Sequence, residues 1–224
     1  MFGVIIIKVK WIFFDLGNTL INEESPQEDR IKQVIKMFST RGIKVTRDKI
    51  IEELENASLN FASRIIKQAI VNLSPDKKIE EYILNNLKYK KELEEPYLNA
   101  DKILEYLYPK YKIGIIANQS KGSEERLKKY GLWKYISLLF ASTELGLEKP
   151  DPQIFELALE KANCDLGNAV MVGDRLDNDI GPAKEIGMNT IRILKGFHKV
   201  QIPSNKFEKA DYEIKELIEL KKIV

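Results

Sequence analysis

Short apolar runs recur along this chain at Val9 to Asp15, Lys112 to Ala117, Leu138 to Ser142, Ala169 to Gly173 and Thr190 to Leu194. They are rich in branched and aromatic residues, as strands covered on both faces are, so the pattern predicts a parallel sheet. Between the later runs lie helical patterns at Lys121 to Tyr130, Pro152 to Ala162 and Ile180 to Ile186. That alternation predicts an open α/β sheet with helices on both faces and right-handed crossovers. From Pro26 to about Leu107 the pattern changes. Helical periodicity runs almost throughout, with Ile31, Val34, Ile35 and Phe38 spaced for one buried face. Breaks at Arg41-Gly42, Asn72 to Pro75 and Glu95-Pro96 divide this stretch into three helices. The predicted organisation is an α/β core over 1–21 and 99–224, with a helical cap over 22–98 inserted into it. No Gly/Ser linker or repeat separates the two, so hinges near Asn22 to Pro26 and Pro96 to Ala100 are expected to join them.

Composition narrows the chemistry. With 224 residues, 44% of them hydrophobic, the chain can bury one or two real cores. The stretch Val4-Ile5-Ile6-Ile7 is cut by Lys8 and Lys10, too short to span a bilayer and without a cleavage site, so a cytoplasmic protein is expected. The leader Phe2 to Ile7 reads as an extra edge element. One cysteine, Cys164, excludes an intrachain disulfide, and one histidine, His198, removes most histidine metal sites and catalytic triads. Carboxylates must carry the chemistry. A net charge of +2 without a basic block gives no support to nucleic-acid or membrane partners, and monomer and homodimer both stay open.

Four segments offer that chemistry. Trp11 to Phe14 ends abruptly at Asp15, and Gly17 and Asn18 let the backbone turn just past it. Ile113 to Ala117 ends at the polar trio Asn118-Gln119-Ser120, where ligands of open α/β sheets gather. Lys149 stands before Pro150, just ahead of a helix opened by Asp151 and Pro152. Val170 to Gly173 breaks into Asp174, Asp177 and Asp179. Such closely spaced carboxylates repel unless a cation holds them, and oxygen-only ligands suit magnesium. Each segment also has a plain reading: an Asp capping a turn, an exposed lysine, a solvated acidic loop.

In this order and spacing the four segments resemble the haloacid dehalogenase superfamily, over nearly the whole chain. Asp15 to Leu20 matches its first motif, Ile113 to Asn118 the second, Lys149-Pro150 the third and Gly173 to Asp179 the fourth. The helical insert resembles the family's first cap type. The resemblance implies a Rossmann-like three-layer core and a magnesium-dependent phosphohydrolase of a small-molecule phosphate ester. It implies Asp15 as nucleophile, forming an aspartyl-phosphate that water cleaves. Magnesium would be held by Asp15, the backbone carbonyl of Gly17 and Asp174, with Asp179 orienting that shell. Lys149 would neutralise charge on the nucleophile and the phosphoryl group, and Asn118 would help position phosphate oxygens. Arg175 and Asp177 read as a surface salt bridge.

Two departures matter. Gly17 stands where phosphatases of the family place an aspartate that protonates the leaving group, a contribution of roughly 10²–10⁴-fold. Substrates with good leaving groups are therefore expected, unless Glu23 or Glu24 supplies a proton. Ala117 replaces a usual Ser or Thr hydroxyl, for which Gln119 or Ser120 is the candidate substitute. Three rivals remain: a metal-independent 2-haloacid dehalogenase, a catalytically weak binding or regulatory protein on the same core, and a phosphonate-cleaving enzyme with a cap lysine.

Overall fold

The computed structural model describes residues 9–119 and 121–224, without the side chains of Glu144 and Leu145. The leader and Ser120 lie outside the described residues. By contacts the chain divides into two compact units. One takes the chain up to Asn22, then Glu95–Lys195 and Pro203–Val224; the other is Glu23–Glu94 with Gly196–Ile202.

The first unit is built on six parallel strands: β1 (Trp11–Phe14), β4 (Lys112–Ala117), β5 (Leu138–Ala141), β6 (Ala169–Gly173), β7 (Asn189–Ile193) and β8 (Tyr212–Ile214). Their order across the sheet is β5-β4-β1-β6-β7-β8. A separate two-stranded antiparallel ribbon pairs β2 (Ile21–Asn22) with β3 (Glu95–Pro96). Strand side chains alternate faces, which explains the unbroken apolar runs. Ile12, Phe14, Ile113, Ile115, Val170 and Val172 meet helix α5 (Ala100–Leu107) and Leu127 of α6 (Ser123–Lys129). Phe13, Ile116 and Met171 meet Ile154, Phe155 and Ala158 of α8 (Pro152–Ala162) and Ala183 of α9 (Gly181–Glu185). Three layers result, with the sheet dry on both faces. A further short helix, α7 (Ser142–Leu145), follows β5.

Helix α8 begins where its chemistry dictates. Asp151 accepts a hydrogen bond from the Gln153 N–H at 2.9 Å and Pro152 occupies the first turn. Gly114 of β4 lies under Phe13, whose ring would stand 2.5 Å from any Cβ added there.

The second unit holds four helices where three were expected: α1 (Glu24–Ser39), α2 (Arg47–Leu59), α3 (Ile65–Leu73) and α4 (Lys77–Asn86). The extra break lies between α2 and α3, at a turn with Phe61 in a left-handed conformation (φ 54°). No glycine or proline marks it, so the helical periodicity runs straight through. Ile31, Val34, Phe38, Ile50, Leu54, Ile70 and Ile83 form the core of this unit, and Phe197 packs against it. His198 is buried in the same unit, its Nδ1 2.9 Å from the Ser58 hydroxyl. The expected boundaries were 22–98 for the insert and 99–224 for the core, whereas Gly196–Ile202 clusters with the helices. Among the described residues, no helix is long and apolar enough to cross a membrane.

Candidate active site

The sheet order puts β1 between β4 and β6, so the polar residues that end these three strands emerge side by side. Asp15 extends β1 by one residue, its N–H donating to the Val172 carbonyl at 2.9 Å. The chain then folds back: the Leu16 carbonyl accepts from the N–H groups of Leu20 (3.0 Å) and Ile21 (2.8 Å), and Asn18 takes a left-handed conformation (φ 51°). Asp174 follows the last residue of β6. Asp179 comes from the wide helical turn Leu176–Ile180 and returns over the strand end, where its Oδ2 accepts from the Arg175 N–H at 3.0 Å. Glycine leaves room for this return. A Cβ at Gly173 would come within 3.0 Å of the Asp179 side chain, closer than real Cβ atoms approach.

Lys149 closes the arrangement from the segment between α7 and α8. Its ammonium donates to Asp15 Oδ1 at 2.6 Å and to Asp179 Oδ1 at 2.5 Å. All four charged groups are buried, with exposures of 8% for Asp15, 3% for Asp174, 1% for Asp179 and 3% for Lys149. Burial pushes the Asp15 carboxyl up to about 6, against the opposing pull of the Lys149 ammonium. For Lys149 burial acts downward, but Asp15 and Asp179 outweigh it and hold the ammonium above its ordinary value. Three carboxylates around one ammonium leave this buried pocket negative. Carboxylate oxygens of Asp15, Asp174 and Asp179 lie within 4.8 Å of one another, a grouping able to hold a divalent metal ion. The donor set is all oxygen, which fits a hard cation.

The remaining expected site residues fall as follows. Gly17 lies in the turn after Asp15, bridged to Ile21, and offers its carbonyl but no side chain. Asn118 directs both ends of its amide to the main chain of Lys149: the Lys149 N–H donates to Oδ1 at 2.8 Å, and Nδ2 donates to the Lys149 carbonyl at 2.7 Å. Gln119 is engaged elsewhere, its side chain accepting from Arg126 at 2.9 Å and its carbonyl from the Thr143 hydroxyl at 2.6 Å. Arg175 and Asp177 pair with each other, Nε to Oδ1 at 3.1 Å and the terminal nitrogen to Oδ2 at 2.5 Å. Glu23 belongs to the helical unit, beside Tyr89. The Tyr89 hydroxyl donates to Glu94 at 2.9 Å, and burial together with the charges of Glu23 and Glu94 pushes the phenol far above its usual range.

The sequence offers Asn118 and Lys149 as separate candidates and gives no sign of their connection. No local signal marks a bond between residues so far apart in the chain. The close approach at Gly173 was visible only as a glycine before an acid.

Comparison with known proteins gives the family. Residues 12–193 match the family model described as haloacid dehalogenase-like hydrolase. Among named relatives, a glyceraldehyde 3-phosphate phosphatase of Methanocaldococcus jannaschii is 30% identical, with 96% of this chain and 97% of that protein covered. The pyrimidine 5'-nucleotidase YjjG of Escherichia coli is 28% identical, covering 87% and 90% respectively. The crystal structure of a HAD phosphatase from Thermococcus onnurineus superposes with a TM-score of 0.62 at 27% identity, covering 96% of this chain and 97% of that one. A buried Asp-Lys-Asp constellation at the ends of β1 and β6, on a sheet matched over most of its length, leads to one assignment: this chain belongs to the haloacid dehalogenase-like hydrolases.

Proposed function

We propose that this protein is a magnesium-dependent phosphohydrolase of a small phosphorylated metabolite, with Asp15 as the nucleophile. The observation that carries the reading is the Lys149 ammonium bridging Asp15 and Asp179 at 2.6 and 2.5 Å, with Asp174 in the same buried group. The relatives named as phosphatases of glyceraldehyde 3-phosphate and of pyrimidine nucleotides support a small phosphate ester as substrate. We read the helical unit, Glu23–Glu94 with Gly196–Ile202, as the family's cap.

In this reading an Asp15 oxygen attacks phosphorus in line, the ester oxygen leaves with the bonding electron pair and takes up a proton, and Asp15 carries the phosphoryl group. Water then attacks phosphorus, releasing inorganic phosphate and the free carboxylate. Lys149 holds Asp15 in place and offsets the negative charge of the incoming phosphoryl group. Asp15, Asp174 and the Gly17 carbonyl are the groups that would hold the cation, and Asp179 orients them together with Lys149. Magnesium, when bound, supplies charge neutralisation that lets one anion approach another.

Gly17 refines the substrate class. With no side chain there to protonate the departing oxygen, phosphates whose leaving groups need little protonation are favoured: aryl phosphates, acyl phosphates and anomeric sugar phosphates.

The test is steady-state hydrolysis of p-nitrophenyl phosphate with and without magnesium, on the native protein and on Asp15→Asn. Magnesium-dependent turnover that Asp15→Asn abolishes is the expected result. Absence of turnover in folded native protein sinks the proposal and directs the next assay to chloroacids. A series of aryl phosphates tests the role of Gly17. The rate falls steeply with leaving-group pKa in the native protein and less steeply in Gly17→Asp, and equal slopes refute the leaving-group argument.

A further inference from the structure

We propose that Asn118 is a positioning residue that acts through Lys149, and not a ligand of the phosphate. The proposal rests on Lys149 working at the Asp15 site as read above. Asn118 is the first residue past β4, and its flat amide forms a closed pair of hydrogen bonds with the main chain of a single residue: Lys149 N–H to Oδ1 at 2.8 Å and Nδ2 to the Lys149 carbonyl at 2.7 Å. This pairing defines which end of the amide is oxygen and which is nitrogen, because the reverse orientation would set donor against donor and acceptor against acceptor.

The geometry gives the pair a task. Lys149 lies between α7 and α8 in a segment outside any helix or strand, where a backbone position depends on individual bonds. A lysine stem has several rotatable bonds, and its ammonium must arrive between two carboxylates at 2.6 and 2.5 Å. Strand β4 is the rigid neighbour of β1, paired Phe14 to Ile115, so an amide at its end measures the Lys149 backbone against the same sheet that carries Asp15. Asn118 thereby connects nucleophile and lysine through rigid structure. The pair of bonds to one main-chain residue makes this amide a spacer for that lysine, and it takes up the amide oxygen and one of the two Nδ2 N–H groups.

A double-mutant cycle separates the roles. Asn118→Ala, Lys149→Ala and the double variant are compared with the native protein by kcat and KM on p-nitrophenyl phosphate, with slow variants followed over hours. Asn118→Ala alone is expected to lower kcat/KM by roughly 10–100-fold, the scale of an ångström-sized misplacement of a reacting group. Its loss divides between kcat and KM in the proportion seen for Lys149→Ala. In the Lys149→Ala background the same change has an effect of less than about twofold, because the residue through which Asn118 acts has gone. Losses that multiply overturn the proposal, since a phosphate ligand or a purely structural residue contributes with or without Lys149. Thermal melts accompany each variant. If Asn118→Ala does not fold, the cycle is run with Asn118→Asp, which is nearly isosteric and keeps the acceptor for the Lys149 N–H. Non-additivity is again the expected result and additivity the refuting one. Lys149→Ala leaving kcat/KM at the native level would instead count against the reading of the site on which the proposal rests.

Discussion

Replacing Gly173 by alanine adds one methyl group and tests how tightly the site is built. That methyl would stand well inside 3.0 Å of the Asp179 side chain, closer than real Cβ atoms approach, so Asp179 must move. Asp179 Oδ1 holds the Lys149 ammonium at 2.5 Å, and such a shift breaks or stretches that bond. A hydrogen bond between charged groups contributes about 1.5–3 kcal/mol. At about 1.4 kcal/mol per factor of ten, kcat/KM should fall by roughly 10–100-fold. Overpacking at a fully buried strand end adds a stability loss of about 1–3 kcal/mol. The assay is p-nitrophenyl phosphate hydrolysis with magnesium, run beside urea melts so that activity is compared among folded molecules only. Gly167→Ala is the control, because nothing lies within 4 Å of a Cβ there. Native kcat/KM in Gly173→Ala would refute the claim that Asp179 is held against the strand end by close contact.

Three further outcomes are expected. Asp211 accepts from Lys184 Nζ at 2.7 Å and from the Thr190 N–H and hydroxyl at 2.9 and 3.0 Å. Burial acts upward on this carboxyl, but those donors outweigh it and hold it below its ordinary value. Its stabilising contribution is therefore complete above the unfolded value of about 4 and is lost as pH falls through the lower folded one. Urea melts at pH 5 and pH 3 should show a smaller drop for Asp211→Asn than for the native protein; an equal drop contradicts the assignment. Ser58→Ala removes the hydroxyl bonded to buried His198 and should cost about 1–3 kcal/mol in urea melts, and a neutral result denies that bond its structural role. Magnesium at a hundredfold excess over its dissociation constant should stabilise the fold by about 2.7 kcal/mol, seen as a raised Tm. Asp174→Asn should abolish that rise, and an unchanged rise would place the cation elsewhere.

Legibility followed how local the physics is. The sheet is readable because strands dry on both faces need nearly uninterrupted apolar sequence, and the runs Lys112 to Ala117 and Ala169 to Gly173 coincide with strands Lys112–Ala117 and Ala169–Gly173. The candidate chemistry was readable because each run stops at a polar group with no reason to stand beside a core. Strand β8 escaped notice because Tyr212-Glu213-Ile214 is an edge strand of three residues, shorter than one clear alternation. The turn at Phe61 escaped because the apolar spacing of α2 and α3 continues through it. The bonds of the Asn118 amide to Lys149 are not legible, since a side chain's pairing with a backbone 31 positions away is decided only by the fold.

The helical unit is not a single length of chain, and this limits how the protein can be rebuilt. Its second piece, Gly196–Ile202, arrives between β7 and β8 and brings Phe197 to the helical core and His198 to Ser58. Lifting out Glu23–Glu94 as a cassette would strip that core of an aromatic ring and leave a buried hydroxyl without its imidazole. Grafting the cassette onto another core, or exchanging it for a different insert, would succeed only if the segment after β7 travelled with it. Change in this part of the molecule, by recombination or by design, has to proceed at two separated places in the gene at once.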